Sequence, residues 1–212
     1  MSVSSSKENV LKKIREALSS ATPLPFPQSE GNNSVYQPSQ QELELEFAEQ
    51  FTRLQGKFIY CLNSSELVLQ LSQLAGKLEW KNIYCPDSAV RSMLEQNGFT
   101  LAGYNDLASC NVSITGCECL VARTGTMVLS AAQPEGRTAS VYAPIHICIA
   151  YTDQLKYDIR DALQLLKEKY GSNLPSMVSF ATGPSRTADI EKTLVVGVHG
   201  PKESYCMLLE SR

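Results

Sequence analysis

Between Gly183 and Pro201 the chain reads GPSRTADIEKTLVVGVHGP, a run dense in turn-formers, acids, one arginine and one histidine. The chain holds only two histidines, so His199, set between Gly197-Val198 and Gly200-Pro201, is a candidate for chemistry. An imidazole in such a turn can exchange protons near neutral pH, or it can brace the two turns through backbone hydrogen bonds. Gly183, Ser185 and Arg186 precede a short TADIE segment. Free backbone N–H groups at a helix start beside a guanidinium favour phosphate or carboxylate. Alternatively, Arg186 clamps Asp189 or Glu191, acids that already complement the dipole of such a helix.

Other strand-end loops carry similar chemistry. Thr124-Gly125-Thr126 supplies hydroxyls around a pliable backbone that can cradle an oxyanion. Gly136-Arg137-Thr138 offers a second basic clamp, or else a solvated charge. Glu118 is a strand or loop acid that, at a sheet rim, can attack a thioester as a nucleophile. His146 interrupts an apolar strand just after Pro144, which favours a structural role, with a pairing to His199 as the alternative. The ligand-binding set expected from sequence is therefore Thr124, Gly125, Thr126, Arg137, Gly183, Ser185, Arg186, Asp189 and Gly200. His199 and Glu118 are the catalytic candidates. No metal or cofactor is expected.

These residues need a scaffold, and the periodicity of the chain indicates one. Val10, Leu11, Ile14, Ala17 and Leu18 recur at helical spacing behind a Ser5/Glu8 capping box. The proline-rich stretch 21–39 reads as a linker. Helical spacing resumes from Gln41 to Leu54. From Lys57 onward KFIYCL, a helix opened by Ser64 or Ser65, NIYCP and a helix over Asp87–Asn97 closed by Gly98 alternate. That alternation marks a parallel sheet with crossover helices. Asn111–Ile114, Cys119–Ala122, Thr126–Ala131, Ile145–Ala150, Met177–Ala181 and Ser204–Leu209 read as further strands, and Asp158–Tyr170 as a helix. The expected division is a helical arm with its linker over 1–56 and an α/β domain over 57–212. Ligands of open α/β sheets gather outside the carboxyl ends of the strands, so the polar loops at 122–126, 134–137, 182–186 and 199–201 are expected on one such rim.

Bulk properties narrow the classes. A net charge of −3 gives no general affinity for nucleic acid or anionic membranes. The seven cysteines are odd in number, lie mostly in apolar runs and form no CxxC, which points to buried thiols in a reducing compartment. Cys117 and Cys119, if in one alternating strand, face the same side and permit metal binding. No apolar leader or spanning segment is legible, so a soluble, cytoplasmic protein is expected.

The strings ARTGTMVL, EGRTASVYAPIH, GPSRTADIE and GVHGP, in this order, resemble the LUD-domain family of lactate-utilisation proteins, as a short, protein C-like member. The likeness runs from about Lys57 to Leu209. It implies a Rossmann-like, mostly parallel sheet flanked by helices, similar to the ribose-phosphate isomerase, CoA-transferase and folate cyclo-ligase superfamily. It also implies a cluster-free component of cytoplasmic L-lactate oxidation that works beside iron–sulfur partner proteins. A small carboxylate or phosphorylated ligand would sit at the sheet rim. A stand-alone isomerase, acyl transferase or cyclo-ligase, and a non-catalytic assembly subunit, are the alternatives. Arg123, before Thr-Gly-Thr, departs from the family pattern and adds charge there.

Overall fold

A computed structural model describes residues 5–19, 38–39, 41–101, 106–187 and 194–211. Two compact units result, 1–38 and 39–212. The first contains helix α1 (Ser5–Ser19), on which Val10, Leu11 and Ile14 are exposed.

The second unit opens with α2 (Leu43–Arg53), followed by β1 (Lys57–Cys61), α3 (Ser64–Lys77), β2 (Ile83–Tyr84) and α4 (Ser88–Gln96). Next come β3 (Val112–Thr115), β4 (Cys119–Val121), β5 (Thr126–Ser130), α5 (Ala139–Tyr142), β6 (Ile145–Tyr151) and β7 (Leu155–Lys156). The chain finishes through α6 (Ile159–Tyr170), β8 (Val178–Ala181), the β9 (Arg186–Thr187) and β10 (Val195–Val196) hairpin, and β11 (Glu203–Leu209). Sequence pattern alone groups α2 with the arm. It belongs with the sheet, because Phe47 and Phe51 are fully buried beside Met127, Cys148 and Leu208.

The main sheet is parallel throughout, in the order β1-β11-β6-β3-β2. Alternation along its strands gives it two apolar faces. Ile114, Ile147, Ile149, Tyr205 and Met207 meet Leu67, Leu71, Val90 and Leu94 of α3 and α4. Cys148, Ala150, Cys206 and Leu208 look the other way, onto α2 and onto Leu120, Met127 and Leu129. Those last three belong to a second sheet, β7-β4-β5-β8, whose outer face packs Cys119, Val121 and Val128 on Ala162 and Leu166 of α6. One face of the parallel sheet is thus covered by helices and the other largely by a second sheet.

Local chemistry accounts for the helix starts. Asp87 Oδ1 accepts the Ala89 and Val90 N–H groups at the start of α4, and Asp158 accepts Arg160 N–H at the start of α6. α3 is capped by Asn63, which accepts Glu66 N–H, rather than by the serines that follow it. Gly98 ends α4 with φ +90°, a conformation open to glycine.

All seven cysteines are free and buried. Burial pushes the Cys61 and Cys85 thiols up to about 11 and Cys119 to about 12, which leaves them protonated at neutral pH. Cys117 and Cys119 do not share a face. Cys117 precedes β4 and lies in the cluster with Cys148, whereas Cys119 faces α6. No group of three or more metal-ligating side chains occurs among the described residues. Nor is any helix among them long and apolar enough to cross a membrane.

Candidate functional site

The polar loops expected on one rim separate into two groups. His199, Gly200 and Pro201 precede β11, and Lys202 N–H donates to Pro144 O just ahead of β6, so this turn lies at the amino ends of the parallel strands. GPSR joins it there: Ser185 N–H donates to Pro201 O (2.9 Å) and Gly197 N–H to Ser185 O (3.0 Å). A Cβ on Gly200 would stand 2.8 Å from that of Ser185. Thr126 and Thr182 share a hydroxyl contact of 2.9 Å, and Thr124 bonds Thr126 at 2.7 Å, which brings the TGT loop alongside.

What this group surrounds is the end of α2. Arg186 donates to the Leu54 carbonyl, at the C-cap of that helix, where a cation is favoured by the helix dipole. Gly183, at φ +90°, passes so near that a Cβ would lie 2.7 Å from Leu54 O. Gly125, at φ +59°, has Phe51 N at 2.3 Å from where its Cβ would be. The glycines therefore permit backbone-to-backbone contact, and the Arg186 guanidinium is occupied by a helix terminus. His199 is exposed. Asp189 and Glu191 lie outside the described residues.

Arg137 and Glu118 are elsewhere. β5 and β8 run antiparallel, with Met127 opposite Ala181 and Ser130 opposite Val178, so the loop after β5 sits at the far end of this sheet from Thr126. There Arg137 donates to Ser176 Oγ. Glu118 has a side chain only 1% exposed. It accepts from Ser130 Oγ (2.5 Å), Tyr170 OH (2.8 Å) and Lys169 Nζ (2.7 Å). Burial alone raises this carboxyl, but the bonds from Lys169, Ser130 and Tyr170 outweigh it and hold it below the usual glutamate range. A carboxylate committed to three donors anchors structure and is a poor nucleophile. Arg123 is likewise neutralised, by Asp158 at 2.5 Å.

Replacing Lys169 with Met is expected to cost about 2 kcal/mol. The loss from breaking a fully buried pair is about 3–5 kcal/mol, and here it is reduced because the lysine is half-exposed. Urea unfolding checks this, with Lys169→Arg expected near wild type.

The topology itself marks a second place. From β2 the chain leaves to the α3/α4 face, and from β3 it leaves to the opposite face. Such a switch point opens a crevice at the carboxyl ends of the two strands. A small recess lies there, lined by Asp87, Thr115, Gly116, Gln133, Gly136 and Ser140. Its free volume is about 10 Å³, room for one water.

Each lining group is set by its neighbours. Asp87 uses Oδ1 to cap α4, and its Oδ2 lies 3.4 Å from where a Cβ on Gly116 would be. Gln133 Oε1 accepts Ser130 N–H at 3.0 Å. A backbone N–H can only donate, so the amide oxygen faces Ser130. The amide nitrogen then faces the crevice, 4.0 Å from the Gly116 Cβ position. Ser130 is in turn held by Glu118, which makes Glu118 a positioning residue behind Gln133. Gly136 fits because any Cβ would collide with Ser130 O, 1.9 Å away. Beneath the floor, Thr115 Oγ1 meets His146 Nε2 at 2.9 Å. His146 is 1% exposed, and burial pushes its pKa down to about 4, so the ring is neutral.

Sequence pattern does not reveal this crevice. In it Asp87 is legible only as a helix start, and EGRTAS only as a basic loop. The signal that could have found it is the Gly116 turn directly after a buried strand.

A sequence model described as the LUD domain matches residues 102–209, which is half of the chain. The chain belongs to the LUD-domain family. It is 36% identical over 104 residues to lactate utilization protein C of Bacillus licheniformis, a match covering 48% of this chain and 43% of that protein. The same figures hold for lactate utilization protein C of Bacillus subtilis. An uncharacterized protein of Neisseria meningitidis is 37% identical over 94 residues, or 44% of this chain and 40% of its own. The matches thus span less than half the length of these curated relatives. A crystal structure of a DUF162 family protein from Deinococcus radiodurans superposes with a TM-score of 0.61 at 16% identity, covering 82% of this chain and 99% of that one. The mixed α/β architecture with a parallel central sheet is therefore a LUD-family fold. The matched segment contains every crevice residue named above except Asp87.

Proposed function

We propose that this chain is a component of cytoplasmic lactate utilisation that meets a small hydroxy or oxo acid at the crevice between β2 and β3. The observation that carries the reading is the family match itself. It spans 102–209, takes in Thr115, Gly116, Gln133, Gly136 and Ser140, and connects the chain to relatives named for lactate utilisation. The chemistry agrees with it. Asp87 Oδ2 is an acceptor suited to a ligand hydroxyl, while Gln133 and Ser140 offer neutral donors suited to a carboxylate.

Thermal unfolding against L-lactate, D-lactate, pyruvate and inorganic phosphate tests the ligand. L-lactate or pyruvate is expected to raise the midpoint of the wild-type protein. In Gly116→Ala the added methyl lies in ordinary contact with Asp87 Oδ2, so the fold persists while the crevice narrows and the ligand effect is lost. No shift with either acid, or an equal shift in the variant, rejects the crevice as the site.

A second reading, a subunit that docks on iron–sulfur partner proteins, is favoured by the exposed Val10, Leu11 and Ile14 of α1. Under that reading, deleting residues 1–20 abolishes co-purification with such partners and leaves acid binding intact.

A further inference from the structure

We propose that helix α1 of a second copy of this chain docks its apolar stripe in the groove between α2 and β1, with its basic borders against the acids of the groove rim. The exchange is reciprocal, each copy giving its α1 and receiving the other's, so the assembly closes as a two-fold dimer.

The groove follows from the strand order. β1 is an edge strand of the main sheet, with β11 on its inner side. Beside it α2 turns Phe47 and Phe51 into the core, while Leu45 and Ala48, three residues apart, share another face. Between α2 and β1 runs a groove of about 600 Å³, lined by Glu42, Glu44, Leu45, Ala48, Phe58 and Tyr60. Leu45 is 56% exposed and Tyr60 40%, apolar surface whose cover is favourable. The rim is acidic. Burial and then the carboxylates of Glu210, Glu44 and Glu42 push the Tyr60 hydroxyl above its ordinary range, so all three acids lie within electrostatic reach of it. Groove against groove would bring like charges together, which leaves an occupant that is basic as well as apolar.

Helix α1 has that chemistry. At about 100° per residue, Val10, Leu11 and Ile14 fall on one stripe, and Lys13 and Arg15 border it on opposite sides. Lys7 stands one turn ahead of Leu11, while Lys12 pairs with Glu16 on the far face at 4.0 Å. Every side chain from Lys7 to Ala17 is exposed on the single chain. Most helical stability comes from packing an amphipathic face, and a helix of this length is marginal without it. The stripe and the groove both lack cover on the single chain, and a second copy supplies both covers at once. It occupies the same apolar face that an iron–sulfur partner would need, so the two occupants exclude each other.

Sedimentation velocity of the full chain tests the contact. A dimer is expected, held about tenfold less tightly at about 500 mM than at about 50 mM sodium chloride, because the paired charges are exposed. Two sets of reversals then test the pairing. Lys13→Glu with Arg15→Glu makes the borders of the stripe acidic, and Glu42→Lys with Glu44→Lys makes the rim basic. Each of these proteins alone is expected to dimerise about tenfold or more less tightly than wild type. An equimolar mixture of the two is expected to recover the dimer, since each α1 then meets a groove of opposite charge on the other chain. A monomeric wild type, a dimer insensitive to salt and to the reversals, or a mixture of folded variants without recovery overturns the proposal. Should a variant fail to fold, the salt dependence of the wild-type dimer decides.

Discussion

Acidification from pH 6.5 to pH 4 is expected to remove about 3 kcal/mol of unfolding free energy through His146 alone. Burial lowers the folded pKa of this ring from 6.5 to about 4. Between those values the unfolded chain binds a proton that the folded chain refuses, so stability falls as pH falls. The contribution is fully present above pH 6.5 and exhausted near pH 4. Carboxylates act in a lower window. In Glu118 and Asp158 the folded pKa is depressed below the ordinary values of 4.5 and 3.8, so their contribution is present above those values and fades below them. Urea unfolding at half-unit pH steps separates the two windows. His146→Gln should flatten the slope from pH 6.5 to 4 and leave the lower limb unchanged. Parallel slopes for the two proteins in the upper window would show that the imidazole is not buried neutral.

The Gly125→Ala variant is expected to lose about 3 kcal/mol or more, a large effect for one methyl. Two costs combine. A left-handed backbone at φ +59° penalises an L side chain by about 1–2 kcal/mol. The new Cβ also meets backbone, with Phe51 N at 2.3 Å and Gln50 C at 2.7 Å, and overpacking of this kind adds about 1–3 kcal/mol. Relief requires α2 to lift from the TGT loop and to unseat Phe47 and Phe51. Chemical denaturation measures the loss, and Gly116→Ala is the control, expected within about 1 kcal/mol of wild type because its methyl meets ordinary contacts. If Gly125→Ala proved as stable as the control while losing ligand binding, the TGT loop would be a ligand cradle, as its composition first implies.

That contrast shows how a motif misleads when read alone. Thr-Gly-Thr, GPSR and GVHGP have the composition of an anion site, and all three do come together. Yet the partner of Arg186 is Leu54 O, 132 residues away in the chain, and the reason for Gly183 is the same carbonyl. A helix C-terminus presents partial negative charge much as a ligand anion does, so the same residues satisfy either. Glu118 differs again: its neighbours Lys169 and Tyr170 sit on α6, and nothing near it in sequence announces them.

The sequence by itself determined most of the elements and the family. KFIYC became β1, IHICIA the body of β6, Asp158 the cap of α6 and Gly98 the end of α4, because alternation, capping and left-handed closure are local properties. Only the tertiary structure decided which strands share a sheet. β4, β5 and β8 read like the parallel strands but form a separate layer, since short apolar runs carry no record of their partners. It also decided which rim each loop occupies. A loop before β11 and a loop after β3 look alike in composition, and strand direction alone puts the first at the amino ends and the second in the crevice. The Thr115–His146 pair spans 31 residues and exists through the register of β3 with β6. Long-range register is fixed by the packing of whole faces, which no single segment encodes.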